Sequence, residues 1–284
     1  MMSKIDLHLH TTASDGRFTP AELVARLAAL GLEVIALTDH DTVAGVAAAL
    51  EAAKAFPKLT VIPGVEINTD VDHGEAHLLG YFIDATDKNL LDSLEKLRDS
   101  RETRAKRMVA KLSGLGVDIS WQRVQELAGS ATIGRPHIAG ALLEKGYIGS
   151  FSEAFDKYIG RDGPAYVERE KLTQEEAVNL VAGAGGLAVL AHPYTVGEVE
   201  PMVKRLKKVG LVGLEAYYKD YSPARVGELV GLARRYGLLA TGGSDYHGID
   251  ADTEVLPGKV DIPREVADEL FALARSKGLK INRA

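Results

Sequence analysis

The residues of this sequence that can do chemistry are histidines and carboxylates placed directly after short apolar segments. His8 and His10 stand two apart in the motif DLHLH, a spacing that puts both side chains on one face of a β-strand. Two imidazoles on one face can hold a divalent metal ion, although such pairs also occur on exposed strands without one. Asp15, in the turn Ser14-Asp15-Gly16, can join such a site or only stabilise its turn.

The same arrangement recurs further along the chain. His40 lies in LTDHDT, directly after the apolar segment EVIALT. Beside it, Asp41 can cap a following helix and Asp39 can orient the His40 ring. Glu66 ends another apolar segment in PGVE, where its carboxylate can bridge two metal ions or be a solvated edge residue.

Four more residues complete the pattern. His77 opens HLLGYF, His192 follows GLAVLA, and Asp245 and His247 stand two apart after LLATG. A histidine that ends a buried strand can be a hydrogen-bonded core residue, but chance residues would not follow so many strand ends. Together these side chains predict a ring of nitrogen and oxygen ligands for two or three divalent ions such as Mn, Zn or Fe. The predicted ligands are His8, His10, Asp15, His40, Glu66, His77, His192, Asp245 and His247.

Strand and helix patterns alternate on both sides of the chain's middle. Strands are predicted at 4–9, 33–38, 59–67, 76–83, 186–191, 212–216 and 238–242, and helices at 43–56, 174–184, 201–209, 222–236 and 264–277. Another helix begins with Thr19 as its N-cap and Pro20 at its first position. This alternation predicts parallel βαβ units, and the number of strands favours an α/β barrel. The ends of barrel strands meet at one rim, so the candidate ligands should converge there.

The middle of the chain contains helical patterns without a strand. Residues 88–115 form one long charged stretch, and shorter helices are predicted at 120–127, 135–145 and 152–159. We therefore expect residues 1–96 and 169–284 to form the barrel and residues 97–168 a small helical insertion domain. Four arginines at three-residue steps are predicted to form a solvated face of the long helix: Arg98, Arg101, Arg104 and Arg107.

Composition narrows the functional classes. The 284 residues are 46% hydrophobic and 26% charged, which is typical of a globular protein, and no apolar run suits a membrane span. The first residues do not resemble a signal peptide, so a cytoplasmic location is expected. There are no cysteines, so metals must be held by His, Asp and Glu. With 40 acidic and 34 basic residues the net charge is -6, which argues against binding long nucleic acid but allows a small phosphorylated substrate.

In chain order, the motifs DLHLHTTASDG, LTDHDT, GVEIN, HLLGYF, AHP and GSDYH resemble those of the polymerase and histidinol phosphatase (PHP) family. The resemblance implies a distorted (β/α)7 barrel with a polynuclear metal centre that hydrolyses phosphoesters. It also implies three groups of ligands: His8, His10, Glu66 and Asp245; Glu66, His77 and His192; and Asp15, His40 and His247.

The helical insertion and the motif Gly134-Arg135-Pro136-His137 resemble the bacterial nucleotide-directed branch of this family. The Arg135 guanidinium can grip a phosphate with two parallel hydrogen bonds, and His137 can add another donor. Alternatively, Arg135 is a surface charge at a helix start, where its sign opposes the helix dipole. We expect Arg135 and His137 to bind substrate from a lid formed by the insertion.

The expected function is that of a metal-dependent phosphoric monoester hydrolase. Its substrate would be a small nucleotide such as a nucleoside 3',5'-bisphosphate or a 5'-phosphorylated nucleotide. A metal-bound hydroxide would attack phosphorus beside the bridging Glu66, while Asp245 or His247 would serve the leaving group as ligand or acid. Alternatives are a 5'-3' exonuclease on short oligonucleotides, a histidinol phosphate phosphatase, for which a compact barrel would suffice, and a non-catalytic metal-binding accessory module.

Overall fold

The computed structural model describes residues 3–70, 76–129, 133–168, 171–195, 198–249, 254–279 and 281. Its contacts divide the chain into two compact units: Met1–Ser93 together with Leu172–Ala284, and Leu94–Lys171. Within the described ranges, no helix has the length and apolar character that crossing a bilayer requires.

The first unit is built on one sheet of seven strands that neighbour each other in chain order. The strands are β1 (Ile5–Asp6), β2 (Val34–Leu37), β3 (Thr60–Thr69), β4 (Ala76–Tyr81), β5 (Leu187–Leu190), β6 (Gly213–Tyr218) and β7 (Leu239–Gly243). Beyond β1, Leu7 N donates to Gly242 O at 3.1 Å and His10 N donates to Tyr246 O at 3.0 Å. These bonds join the first strand to the last, so the sheet closes nearly into the predicted barrel.

One strand departs from the predicted parallel arrangement. β4 pairs antiparallel with β3 and with β5, whereas the other four neighbouring pairs are parallel. Only residues 70–75 separate β3 from β4, and a parallel return needs a crossover of a dozen or more residues. Because β4 runs the other way, its first residues, not its last, lie at the rim where β3 ends.

Ten α-helices occur in the described residues. They are α1 (Pro20–Ala29), α2 (Val46–Ala53), α3 (Lys88–Gly114), α4 (Trp121–Ala128), α5 (Arg135–Glu144), α6 (Phe151–Ala154), α7 (Gln174–Gly183), α8 (Val199–Lys207), α9 (Pro223–Tyr236) and α10 (Glu265–Ser276). A π-helical turn, Phe155–Ile159, follows α6, and a 3-10 turn, Pro193–Thr195, follows β5.

The start of α1 is determined by residues close to it in the sequence. Thr19 caps α1, Pro20 is its first residue and the Glu22 side chain bonds back to the cap, so the predicted start is confirmed. Asp41 does not cap α2, a role that the sequence left open, because Gly45 is the N-cap of that helix. Asp41 Oδ1 instead accepts a hydrogen bond from Asn68 N at 3.1 Å and so ties the end of β2 to β3.

The second unit has its own apolar core, formed by α3 to α6 and the turn after them. Met108, Leu112 and Val124 are among its fully buried residues. The predicted solvated arginine face of α3 is wrong, because Arg101 and Arg104 are buried. Each three-residue step turns a helix by about 60° from the starting direction, so four arginines spread over half its circumference and cannot share one face.

Candidate metal centre

Glu66 lies at the middle of a cluster of imidazoles at the barrel rim. Its carboxylate is buried, and both oxygens contact histidines. Oε2 lies 3.1 Å from His8 Nε2, 3.2 Å from His10 Nε2 and 3.1 Å from His40 Nδ1. Oε1 lies 2.6 Å from His77 Nδ1 and 3.2 Å from His192 Nε2. One carboxylate therefore contacts imidazoles that follow or begin four different strands.

The antiparallel direction of β4 explains how His77 joins this cluster. His77 is the second residue of β4 and pairs in register with Asn68 near the end of β3. His192 is the second residue after β5, and its ring centroid lies 4.9 Å from that of His77. Both side chains thus reach the rim, although the chain enters β4 there and leaves β5 there.

The remaining predicted ligands lie beside the first two histidines. Asp245 Oδ1 is 3.0 Å from His10 Nε2 and 3.4 Å from His8 Nε2. Asp15 Oδ1 is 3.4 Å from His247 Nε2, and the ring of His247 stacks on that of His10 at 4.0 Å. The structure therefore brings all nine predicted ligands together at one end of the barrel.

Three overlapping sets of donor atoms are close enough to hold a cation each. In each set the ligand atoms lie within 4.8 Å of one another. The sets are His8, His10, Glu66 and Asp245; His10, Asp15, His40 and His247; and His40, Glu66 and His77. Imidazole nitrogens and carboxylate oxygens form a donor set typical of zinc, manganese and iron sites.

Several buried polar atoms in these sets have no hydrogen-bond partner among the described residues. They are His8 Nε2, His10 Nδ1, His10 Nε2, Asp15 Oδ1 and Glu66 Oε2. Native proteins rarely leave such atoms unsatisfied, and a bound ion is one way in which they are satisfied. Because these atoms converge on common points, the residues fit divalent metal ions.

The charges of the cluster depend on each other. Burial alone would raise the pKa of the Glu66 carboxyl, but the facing imidazoles of His40 and His8 hold that pKa well below its ordinary range. Burial alone would lower the pKa of His10, but the facing carboxylates of Asp245 and Glu66 raise it to about 10. Cations must replace these imidazolium protons to bind, so metal binding releases protons.

Glu215 is a buried carboxylate that the sequence analysis missed. His8 Nδ1 donates to Glu215 Oε1 at 3.1 Å, and the backbone N of His192 donates to Oε2 at 2.8 Å. A proton held on Nδ1 leaves Nε2 of His8 as the nitrogen that faces Glu66 and Asp245. The one available signal was an acidic residue inside the otherwise apolar segment GLEAYY.

Asp39, which the sequence left open as a residue that could orient the His40 ring, instead bonds to the loop that carries Asp15. Its Oδ1 accepts from Thr11 N at 2.7 Å and from Ser14 Oγ at 2.6 Å, and its Oδ2 accepts from Thr11 Oγ1 at 2.7 Å. These bonds fix the turn that carries Asp15. Gly16 is required in that turn, because a Cβ there would lie 2.5 Å from the carbonyl oxygen of His10.

The two predicted substrate-binding residues lie in the second unit. Arg135 is the first residue of α5, and its guanidinium lies 5.3 Å from the ring centroid of Phe155. His137 Nδ1 accepts from Gly134 N at 2.9 Å and so caps the same helix. Their contact with substrate stays a prediction. The other remaining histidine, His73, falls outside the described residues.

Comparisons with known proteins agree with this geometry. The chain is 35% identical over 247 residues to the 5'-3' exoribonuclease Rnm of Escherichia coli (strain K12), covering 85% of this chain and 84% of the relative. It is 34% identical over 251 residues to a 3',5'-nucleoside bisphosphate phosphatase of Chromobacterium violaceum, covering 87% and 88%.

A solved structure and a family model extend the likeness to the fold. The structure is a Bifidobacterium adolescentis protein provisionally described as a metal-dependent phosphoesterase, with a TM-score of 0.87, 32% identity, and coverage of 94% of this chain and 95% of that one. The model of the PHP domain matches residues 6–200, which include seven of the nine candidate ligands. With this fold and these relatives, the chain belongs to the PHP domain family.

Proposed function

We propose that this protein is a metal-dependent phosphoesterase that hydrolyses a phosphomonoester of a small nucleotide. The substrate would be a nucleoside 3',5'-bisphosphate or a 5'-phosphorylated nucleotide. The cofactors would be two or three divalent ions, Mn, Zn or Fe. The observation that carries the proposal is Glu66, whose two oxygens contact five imidazoles and belong to two of the three overlapping donor sets.

The donor sets suit phosphoryl transfer because they share ligands. His10, His40 and Glu66 each belong to two sets, so cations bound there would be neighbours. When bound, neighbouring divalent ions lower the pKa of a water and neutralise phosphoryl oxygens as charge shifts between the attacking and leaving oxygens. The chain contributes the geometry: it buries Glu66 and fixes the imidazole orientations through hydrogen bonds such as that from His8 to Glu215.

The hydrogen bond of His247 favours a role as a metal ligand over a role as a general acid. Its Nδ1 lies 3.1 Å from the carbonyl oxygen of Asp245, which can only accept, so Nδ1 carries the proton of a neutral ring. Nε2 then presents a lone pair toward Asp15. We therefore assign His247 to metal binding together with Asp15, and we assign Asp245 to metal binding through its Oδ1.

The nucleotide substrate is supported by the relatives and by the insertion. Of the two relatives described above, one is named as a phosphatase of 3',5'-nucleoside bisphosphates and the other as an exonuclease of RNA. We propose that residues 97–168 act as a lid in which Arg135 and His137 bind the substrate phosphate. Cleavage of 5'-phosphorylated oligonucleotides is a second candidate, favoured by the likeness to the exoribonuclease Rnm.

The test is a substrate panel with the metal-loaded protein. Phosphate release and product identity would be measured for nucleoside 3',5'-bisphosphates, mononucleotides, 5'-phosphorylated oligonucleotides and histidinol phosphate. Highest kcat/KM on a bisphosphate or mononucleotide would support the proposal. Shortening of oligonucleotides one residue at a time would favour the exonuclease, and metal binding without hydrolysis of any substrate would leave a metal-binding module.

A Glu66→Gln protein makes the panel specific to this centre. The neutral amide keeps the size of the side chain but offers one oxygen where the carboxylate offers two. We expect loss of at least one bound metal ion and a fall of kcat by roughly 1000-fold or more, since charge stabilisation by such centres contributes several kcal/mol. Near-normal activity with full metal content would remove Glu66 from its central role.

A further inference from the structure

Two side chains at the end of β6 bind the Asp245 carboxylate through Oδ2, the oxygen that does not face His8 and His10. Tyr218 Oη donates to Asp245 Oδ2 at 2.9 Å. Lys219 Nζ donates to Oδ2 at 3.3 Å and to the Asp245 carbonyl oxygen at 3.1 Å. The other carboxylate oxygen, Oδ1, faces His8 and His10. The two oxygens of one carboxylate thus have separate partners.

These contacts hold Asp245 in an unfavourable backbone conformation. Its φ of 50° lies in the left-handed region, which is uncommon for residues other than glycine. Such residues persist where surrounding contacts over-determine them. The Asp245 carbonyl oxygen accepts hydrogen bonds from both Lys219 Nζ and His247 Nδ1, so its direction is fixed from two sides.

A bulge in β6 brings Tyr218 to the metal centre. Glu215 pairs with Thr241, but Tyr217 pairs with the next residue, Gly242, so β6 contains one extra residue between them. Side chains of a regular strand alternate, and Glu215 and Tyr218 would point to opposite faces. The bulge lets both reach the centre. Gly242 is required opposite it, because a Cβ there would lie 2.5 Å from Tyr217 Cβ.

We propose that Tyr218 and Lys219 are positioning residues that hold Asp245 so that Oδ1 is the oxygen offered to the cation. The idea rests on the proposed metal centre but not on any substrate. With Oδ2 bonded to a phenol and an ammonium, rotation of the carboxylate would break two hydrogen bonds. The Lys219 ammonium also neutralises part of the charge of the Asp245 carboxylate, and Tyr218 packs at 5.4 Å against the ring of His192.

The experiment measures metal affinity directly. Tyr218→Phe and Lys219→Met would be titrated with Mn²⁺ and Zn²⁺ by calorimetry, with kcat and KM measured at limiting and at excess metal. We expect each change to weaken binding of at least one ion by about 10-fold, the low end for residues that orient ligands. Activity at limiting metal should fall and recover with excess metal, while KM for substrate stays unchanged.

Matched variants keep the result interpretable. Tyr236→Phe removes a similar bond, from Tyr236 Oη to surface Glu200 at 2.9 Å, and should not change metal affinity. Lys219→Arg keeps a cation that can donate to Asp245 and should restore most of the affinity lost in Lys219→Met. If Tyr218→Phe fails to fold, the two Lys219 variants decide the question.

Two outcomes would overturn the proposal. Unchanged affinity for every ion in both Tyr218→Phe and Lys219→Met would show that Asp245 needs no such support. Unchanged affinity with a KM raised 10-fold or more would make Lys219 a substrate contact. Failure of the proposed phosphoesterase activity is distinguishable from both, because it would leave the metal titrations unaffected.

Discussion

Replacing Glu215 by glutamine should reverse the protonation of His8 without changing the size of any side chain. The backbone N–H of His192 can only donate, so the amide oxygen of the glutamine must face it at the position of Glu215 Oε2. The amide NH2 then faces His8 Nδ1, which has to become an acceptor. Its proton moves to Nε2, the nitrogen that faces Glu66 and Asp245.

The size of the effect follows from one hydrogen bond. To bind a cation through Nε2, His8 must return its proton to Nδ1 and place two N–H groups against each other in a fully buried site. Leaving a buried donor unsatisfied costs roughly 1–3 kcal/mol. At about 1.4 kcal/mol for each factor of ten, metal affinity should fall by about 5- to 150-fold.

The assay combines metal titration with NMR of the imidazole nitrogens. Parent and Glu215→Gln would be compared by calorimetry, and the tautomer of His8 in the metal-free proteins would be read from nitrogen chemical shifts at a pH where the ring is neutral. Glu228→Gln, a change of the same kind at an exposed residue bonded to Tyr194, is the control. Unchanged affinity together with a proton still on Nδ1 in Glu215→Gln would refute the reasoning.

Three further predictions concern packing, charge and the insertion. A Cβ at Gly243 would lie 2.3 Å from His8 Cβ, so Gly243→Ala should displace His8 and lower metal affinity. Gly227 has open space around it, so Gly227→Ala should leave metal affinity unchanged. Calorimetric titration of both variants with metal checks this prediction. Burial raises the pKa of Asp6 from 3.8 to about 6, so the metal-free protein should lose about 3 kcal/mol of its free energy of unfolding as pH rises through this window. Asp6→Asn should abolish that loss in denaturant titrations at several pH values. Arg135→Ala should lower kcat/KM by roughly 30- to 1000-fold, the scale of about 2–4 kcal/mol for one charge-assisted contact. Arg107 is exposed on α3, and Arg107→Ala should leave kcat/KM unchanged. Equal kcat/KM for Arg135→Ala and the parent would mean that the insertion does not contact the phosphate.

Much of the fold and the whole set of candidate ligands could be predicted because the signals are local. Apolar segments such as EVIALT and GLAVLA mark buried strands, and the residue after each of them lies at the strand's end whatever surrounds it. Thr19, Pro20 and Glu22 define the start of α1 by bonds within a few residues. The sequence alone therefore indicated the barrel, its helices and the residues that would meet at its rim.

Other features depended on partners distant in the chain. β4 runs antiparallel, which the six-residue connection before it could have indicated. The bulge in β6 could not be predicted, because it breaks the alternation of side chains from which strands are recognised in a sequence. An arginine row on α3 looked solvated until its neighbours in the second unit were known, and Arg101 and Arg104 proved buried.

The sequence by itself determined which residues could bind metal ions, because residue types and the ends of the apolar strand segments can be identified from it directly. Only the tertiary structure decided which oxygen or nitrogen of each side chain faces the centre. Glu215 lies 207 positions after His8 in the chain and meets it only when the sheet closes. Tyr218 and Lys219 reach Asp245 only through the register of β6 against β7. Orientation is set by hydrogen bonds between distant segments, and no local pattern specifies those.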